Sequence, residues 1–244
     1  AERRVPAMDA LGMAAGTLTL DVADPPSQAL AVLARFPVLV AAYARLAQGQ
    51  APLTPRAELG QAANYLYLLS GELPAPDRVR GLETYLNTVM DHGLNASTFT
   101  ARVVASTLSD LVSAVVAGIG ALKGPLHGGA PSEVVKMLDE IGDAANAEAW
   151  LKGALARGER IMGFGHRVYR AEDPRADVLS TASVRLFERG GDMKLYNLAK
   201  HVEQVALVLL EEYKPGRHLQ TNVDFFTALI LPGLRLEPDI FAPT

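Results

Sequence analysis

An all-helical protein is what this sequence predicts, and three observations carry that expectation. Apolar residues recur in steps of three and four, helix-opening signals precede them, and strand patterns are few and short. The clearest periodicity runs through Leu195, Leu198, Ala199, Val202, Val205, Ala206, Leu209, Leu210 and Tyr213, with Lys194, Lys200, Gln204 and Glu211 between them. That segment is expected to be an amphipathic helix.

Other elements follow from their start and stop signals. Pro25-Pro26-Ser27 opens a helix, and Ala130-Pro131-Ser132-Glu133 opens another near Val134 to Ile141. Asp173-Pro174-Arg175 opens a third that runs toward Arg189 and is ended by Gly190-Gly191. The segment from Leu111 to Leu122 carries Ser113, Ala114, Ala117, Gly118, Gly120 and Ala121, so a second helix, within the chain or from another subunit, can approach it closely. Thr17 to Val22 alternates apolar and polar residues, but an isolated strand has no sheet to join, so it is expected to be irregular. Pro52 to Pro55, Gly71 to Pro76 and Lys214 to Arg217 read as short turns, not as linkers. Two stretches are apolar enough to be weighed as membrane spans, Ala29 to Ala47 and Val103 to Leu122. Arg35, Pro37 and Arg45 in the first and Asp110 in the second argue for buried helices instead.

Composition narrows the function. At 244 residues, 49% hydrophobic and 20% charged, the chain can bury a large core or divide into two lobes. A net charge of -4 supplies no general field for nucleic acid or an anionic membrane, so anionic ligands must be met by local groups. The absence of cysteine excludes disulfides, thiolate nucleophiles and thiolate metal sites, and is compatible with a reducing cytoplasm. No apolar stretch follows the basic pair Arg3-Arg4, so the start is unlike a secretory signal and a cytoplasmic location is expected.

Three of five histidines sit among small residues: His92 in Asp91-His92-Gly93-Leu94-Asn95, His127 in Gly124-Pro125-Leu126-His127-Gly128-Gly129-Ala130, and His166 in Gly163-Phe164-Gly165-His166-Arg167. Glycine beside a polar side chain lets a ligand approach the backbone. Taken singly, each is more often a turn histidine making an ordinary hydrogen bond; together they suggest a small-molecule site. They lack metal-ligand spacing, no Gly-x-Ser-x-Gly elbow is present, and phosphate-cradling glycine motifs are missing. Arg170 and Arg175 offer planar forks suited to carboxylate or phosphate, or else are solvated charges at a helix start with Asp173 as N-cap. Asp224, between Val223 and Phe225-Phe226, is either a desolvated base or a structural acceptor. His201 is expected on a helix surface, and His218 has no special setting.

Five segments in this order resemble the citrate synthase family: Pro6 to Leu11, Asp91 to Phe99, Gly124 to Ala130, Gly163 to Arg170 with Asp173-Pro174-Arg175, and Asn222 to Phe225. The resemblance implies a two-domain, all-α fold, with a large helical domain over 1–128 to which 236–244 returns, a small helical domain over 129–235, and a homodimer. It implies condensation of acetyl-CoA with oxaloacetate to give citrate and CoA, with the CoA thioester as substrate and no metal or tightly bound cofactor. Residue by residue, it implies that Asp224 takes a methyl proton, His127 donates to the thioester carbonyl and His166 polarises the oxaloacetate ketone. His92 and Arg175 would bind oxaloacetate, and Arg170, Arg217, Gly163 and Gly165 would meet CoA.

Some features depart from the family pattern. Segments usual before Pro6 and after Thr244 are not in the sequence, Pro131 stands where Asn is usual, and Thr227-Ala228 stands where Ser-Gly is common. Alternative readings are a 2-methylcitrate synthase using propionyl-CoA, and a shortened homologue acting as a binding or structural dimer.

Overall fold

Start signals, apolar stripes and small-residue contacts account for most of the architecture. The computed structural model describes residues 4–91, 93–124, 127–165, 173–190 and 192–244. Among them are eleven α-helices: α1 Ala7–Ala15, α2 Pro25–Ala47, α3 Gln61–Ser70, α4 Pro76–Thr88, α5 Ala96–Ala105, α6 Leu111–Leu122, α7 Ala130–Ile141, α8 Ala147–Ala156, α9 Pro174–Gly190, α10 Lys194–Tyr213 and α11 Val223–Gly233. No β-strand occurs among the described residues, and Thr17 to Val22 is irregular as expected. The expected starts at Pro25, Ala130 and Pro174 are met, as is the helix through Leu195 to Tyr213.

The chain forms two compact units. The first comprises Ala1–Val79, Asp91–Gly129 and Asp239–Thr244, and the second Arg80–Met90 and Ala130–Pro238. Residues 80–90 therefore group with the second unit, whereas the expected division kept them in the first. One close approach within this unit is at Gly81 of α4, which lacks the Cβ that would lie 2.8 Å from Leu186 Cδ1 of α9.

In the first unit, α5 and α6 pair as a hairpin, α1 lies on α2 and α6, and α2 packs on α3. Side-chain caps set two of these starts, with Asp24 accepting the Ser27 N–H and Asp110 accepting the Ser113 N–H, both at 2.9 Å. The small residues of α6 act as expected: a Cβ on Gly118 would sit 3.6 Å from Ser97 O and 3.8 Å from Ala101 Cβ, so α5 comes close.

The two apolar stretches are not simply buried helices. Val103 to Leu122 is broken at 106–110 into α5 and α6, whose 10 and 12 residues are too few to span a bilayer. α2 is long and apolar enough to cross a membrane, the one such helix among the described residues. Only 22% of its most apolar window is buried, and Leu30, Leu33 and Leu46 are more than half exposed.

The second unit is organised on α11, in which Val223 and every residue from Phe225 to Leu231 are buried. α7 and α9 pack on α11, and α10 packs on α8. Phe225 lies 5.2 Å from Phe164 and 5.5 Å from Phe226, ring centre to ring centre. Burial of each such side chain stabilises the fold by about 1.5–3 kcal/mol. Pro131 is accommodated in the first turn of α7, where its missing N–H leaves no bond unmade.

Candidate active site

Candidate residues occur in both units, and each group is described within its own unit. In the first unit, His127 follows the end of α6 in a turn closed by its N–H donating to Gly124 O at 3.0 Å and by Gly128 N–H donating to Leu122 O at 2.9 Å. Ser97, in the first turn of α5, lies 2.7 Å from His127 Nε2 through its hydroxyl. A Ser97 hydroxyl that donates to Nε2 puts the ring proton on Nδ1, giving a neutral imidazole with a defined donor. Asn95 caps α5 by accepting the Thr98 N–H at 2.9 Å, which fixes the turn that carries Ser97.

In the second unit, Asp224 occupies the first turn of α11 and is half-buried between buried Val223 and Phe225. The N-terminal end of a helix favours negative charge there. Asn222 anchors this turn: its Oδ1 accepts the Asp224 N–H at 3.0 Å and its Nδ2 donates to Gly165 O at 2.8 Å. The Asn222 N–H donates to Gly163 O at 2.9 Å, and Gly165 N–H donates to Gln220 O at 2.7 Å, flanking an isolated antiparallel bridge between Phe164 and Thr221. Gly163 and Gly165 have φ of +86° and +82°. Their missing side chains make room for protein: a Cβ on Gly163 would lie 2.8 Å from Phe225 Cδ2, and one on Gly165 2.8 Å from Leu219 Cδ2. Packing thus accounts for Gly163, and the positive φ of each position favours glycine without the ligand approach expected of them.

Arg175 and Asp173 are not solvated charges. Asp173 is 1% exposed, and it accepts from Arg175 Nε at 3.0 Å and from Arg175 Nη2 at 2.8 Å. It also caps α9 through the Arg175 N–H at 3.0 Å, so the capping part of the expectation holds and the solvated part does not. Burial by itself would raise the Asp173 carboxyl, but the hydrogen bonds and charge of Arg175, with the Val223 N–H, outweigh it and hold the group below its ordinary value of 3.8. The folded chain therefore binds this proton less tightly than the unfolded chain. The resulting stability is complete above about pH 4 and is lost as pH falls through the folded value. Urea midpoints measured on acidification below 3.8 should fall less steeply in Asp173→Asn than in the parent chain.

Tyr85 of α4 is a neighbour that the sequence did not single out. Burial, with a contribution from the Asp224 charge, pushes its phenol up to about 12, so it stays protonated at neutral pH. Ser97 was likewise missed as a functional residue, although it lies within the segment from Asp91 to Phe99. Its pairing with His127 spans thirty positions and leaves no local signal.

The remaining candidates divide. His92, His166 and Arg170 lie outside the described residues. Arg217 is exposed in the turn after α10, with its N–H donating to Lys214 O at 3.2 Å. His201 is exposed as expected, and exposed His218 lies 3.9 Å from Glu211. Among the described residues, no three His, Asp or Glu side chains gather as metal ligands do.

The described residues thus form a helical chain in which Ser97 pairs with His127 and Asp224 stands in the first turn of α11. The family model for the C-terminal domain of citrate synthase matches residues 1–244, and the chain belongs to the citrate synthase family. Citrate synthase 2 of Bacillus subtilis is 46% identical over 216 residues, 88% of this chain and 56% of that protein. Citrate synthase of a Synechocystis species is 40% identical over 244 residues, 97% of this chain and 60% of that one. Among solved structures, citrate synthase of Pyrobaculum aerophilum superposes with a TM-score of 0.86 at 37% identity, covering 98% of this chain and 64% of that one. The Thermoplasma acidophilum enzyme, solved as a ternary complex with carboxymethyl coenzyme A and oxaloacetate, gives 0.87 at 27% identity, over 100% and 66%. The chain thus spans less than two thirds of the length of these relatives.

Proposed function

We propose that the protein condenses acetyl-CoA with oxaloacetate to give citrate and CoA. The Asp224 carboxylate takes a proton from the methyl carbon of acetyl-CoA while His127 hydrogen-bonds the thioester oxygen, on which charge grows. A bound enol or enolate results. Its carbon attacks the ketone carbon of oxaloacetate, whose oxygen His166 polarises and which His92 and Arg175 hold. Water then cleaves the thioester of the citryl-CoA so formed, releasing citrate and CoA. No metal or tightly bound cofactor takes part in this scheme. Arg170 and Arg217 are assigned to the CoA phosphates, with Gly163 and Gly165 shaping the loop beside them. The two units serve as the large and small domains of this reading.

The observation that carries the proposal is Asp224 in the first turn of α11, braced by Asn222, in a chain matched by the family model from end to end. The relatives reported are citrate synthases, so the propionyl-CoA alternative is not favoured. The experiment is release of free CoA from acetyl-CoA by this chain, with and without oxaloacetate, and with Asp224→Ala as the blank. Oxaloacetate-dependent release that disappears in the blank supports the proposal; no release from a folded chain supports the binding or structural reading instead.

A cytoplasmic, homodimeric state belongs to the same proposal. The absence of cysteine supports the first part. For the second, none of the residues of α5 is buried, and Phe99, Val103 and Leu108 are 60%, 50% and 96% exposed. A second copy packed on this face would cover them. Light scattering should report twice the 26.0 kDa chain mass, and a mass of one chain at all concentrations would count against the dimer.

A further inference from the structure

We propose that Asp173 is a positioning residue that ties the Arg175 guanidinium to the first turn of the helix carrying Asp224, so that oxoacid anchor and base are held by one group. The inference rests on the roles proposed above for Arg175 and Asp224. Its basis is the complete use of one buried carboxylate. Oδ1 accepts the Arg175 N–H and Nε–H, each at 3.0 Å, and Oδ2 accepts Nη2–H of Arg175 at 2.8 Å and the Val223 N–H at 3.2 Å. A carboxylate offers about four acceptor positions, and here four N–H groups fill them.

Each of these bonds fixes a different degree of freedom. The two guanidinium bonds form the paired fork that sets the plane and direction of Arg175, so its other edges are aimed rather than swept through a range of rotamers. The Val223 N–H is one of the donors that the first turn of a helix leaves without an intrahelical partner. Asn222 satisfies the Asp224 N–H from within the turn, while Asp173 satisfies Val223 from fifty positions away. The turn that aims Asp224 is therefore braced on two sides.

Two variants separate this role from general support of the fold. Asp173→Asn keeps the shape but replaces one oxygen with a donor, which must then face N–H groups whichever way the amide turns. Val223→Pro deletes the N–H that reaches Asp173 while exchanging the buried valine side chain for an apolar ring of similar size. Proline is accepted at this first helical position, and Asn222 before it is already extended, with φ of -110° and ψ of 177°. The readouts are oxaloacetate affinity by calorimetry and exchange of acetyl-CoA methyl protons with deuterated solvent, both measured below the melting transition of each variant. Asp173→Asn should weaken oxaloacetate by about 10- to 100-fold. Val223→Pro should leave that affinity within about twofold and slow methyl exchange about tenfold or more.

Arg175→Ala is the reference. If it weakens oxaloacetate and Asp173→Asn does not, the positioning role is overturned while the anchor reading stands. If Arg175→Ala binds like the parent, or the parent binds no oxaloacetate, the anchor reading is wrong and this inference falls with it. Unchanged methyl exchange in Val223→Pro overturns the link to Asp224 alone.

Discussion

Asp224→Ala is expected to lower oxaloacetate-dependent CoA release by about 10²- to 10⁴-fold, the usual contribution of a positioned general base. A methyl group beside a thioester is a weak carbon acid, so its proton leaves only if a base is aimed at it and the growing charge on oxygen is met. Stability should hardly change. Asp224 is half-buried, and its interaction with the start of α11 is worth about 0.3–1 kcal/mol. A large loss of turnover with a nearly unchanged urea midpoint is the signature of a chemical role. His127→Ala should cost about 10²- to 10³-fold by removing the donor to the thioester oxygen. Wild-type turnover in either variant would remove that residue from the mechanism.

Gly163→Ala should produce the opposite pattern, a fold weakened by about 2–5 kcal/mol, because two penalties coincide. The backbone at Gly163 has φ of +86°, which an L-residue adopts only with strain. Its new Cβ would also lie 2.9 Å from Phe225 Cβ and 3.2 Å from Val134 Cγ2. Phe225 is fully buried between Phe164 and Phe226 and has nowhere to swing. Any shift of Phe225 moves the turn that carries Asp224, so turnover should fall as well. Gly165→Ala is the control: its new Cβ meets only the outer end of Leu219, a side chain that can rotate away. Urea unfolding of both variants tests the contrast, and equal midpoints would show that the Phe225 contact is not what requires glycine at position 163.

His127 belongs to the first unit and Asp224 to the second, so each is supported by its own network. Ser97 and the turn after α6 hold the histidine. Asn222 and Asp173 hold the start of α11.

Local chemistry made much of this protein legible from sequence. Helical periodicity marked α10, proline and acidic starts marked α2, α7 and α9, and small residues marked the close face of α6, because each depends on neighbours within a few positions. The motif segments around His127, Arg175 and Asp224 pointed to the family and to its chemistry for the same reason. What the tertiary structure alone decided are matters of long-range contact and burial. Asp173 looked like a helix cap and is one, but only folding brings Val223 to it and leaves the Arg175 side chain mostly covered. The α2 stripe was read as buried and is for the most part only partly covered, since composition reports how apolar a face is and not what covers it. Gly163 looked like room for a ligand, and the packed ring of Phe225 takes that room. Periodicity and capping are properties of short segments, whereas the partners of a carboxylate or a glycine are set by which distant segments pack together.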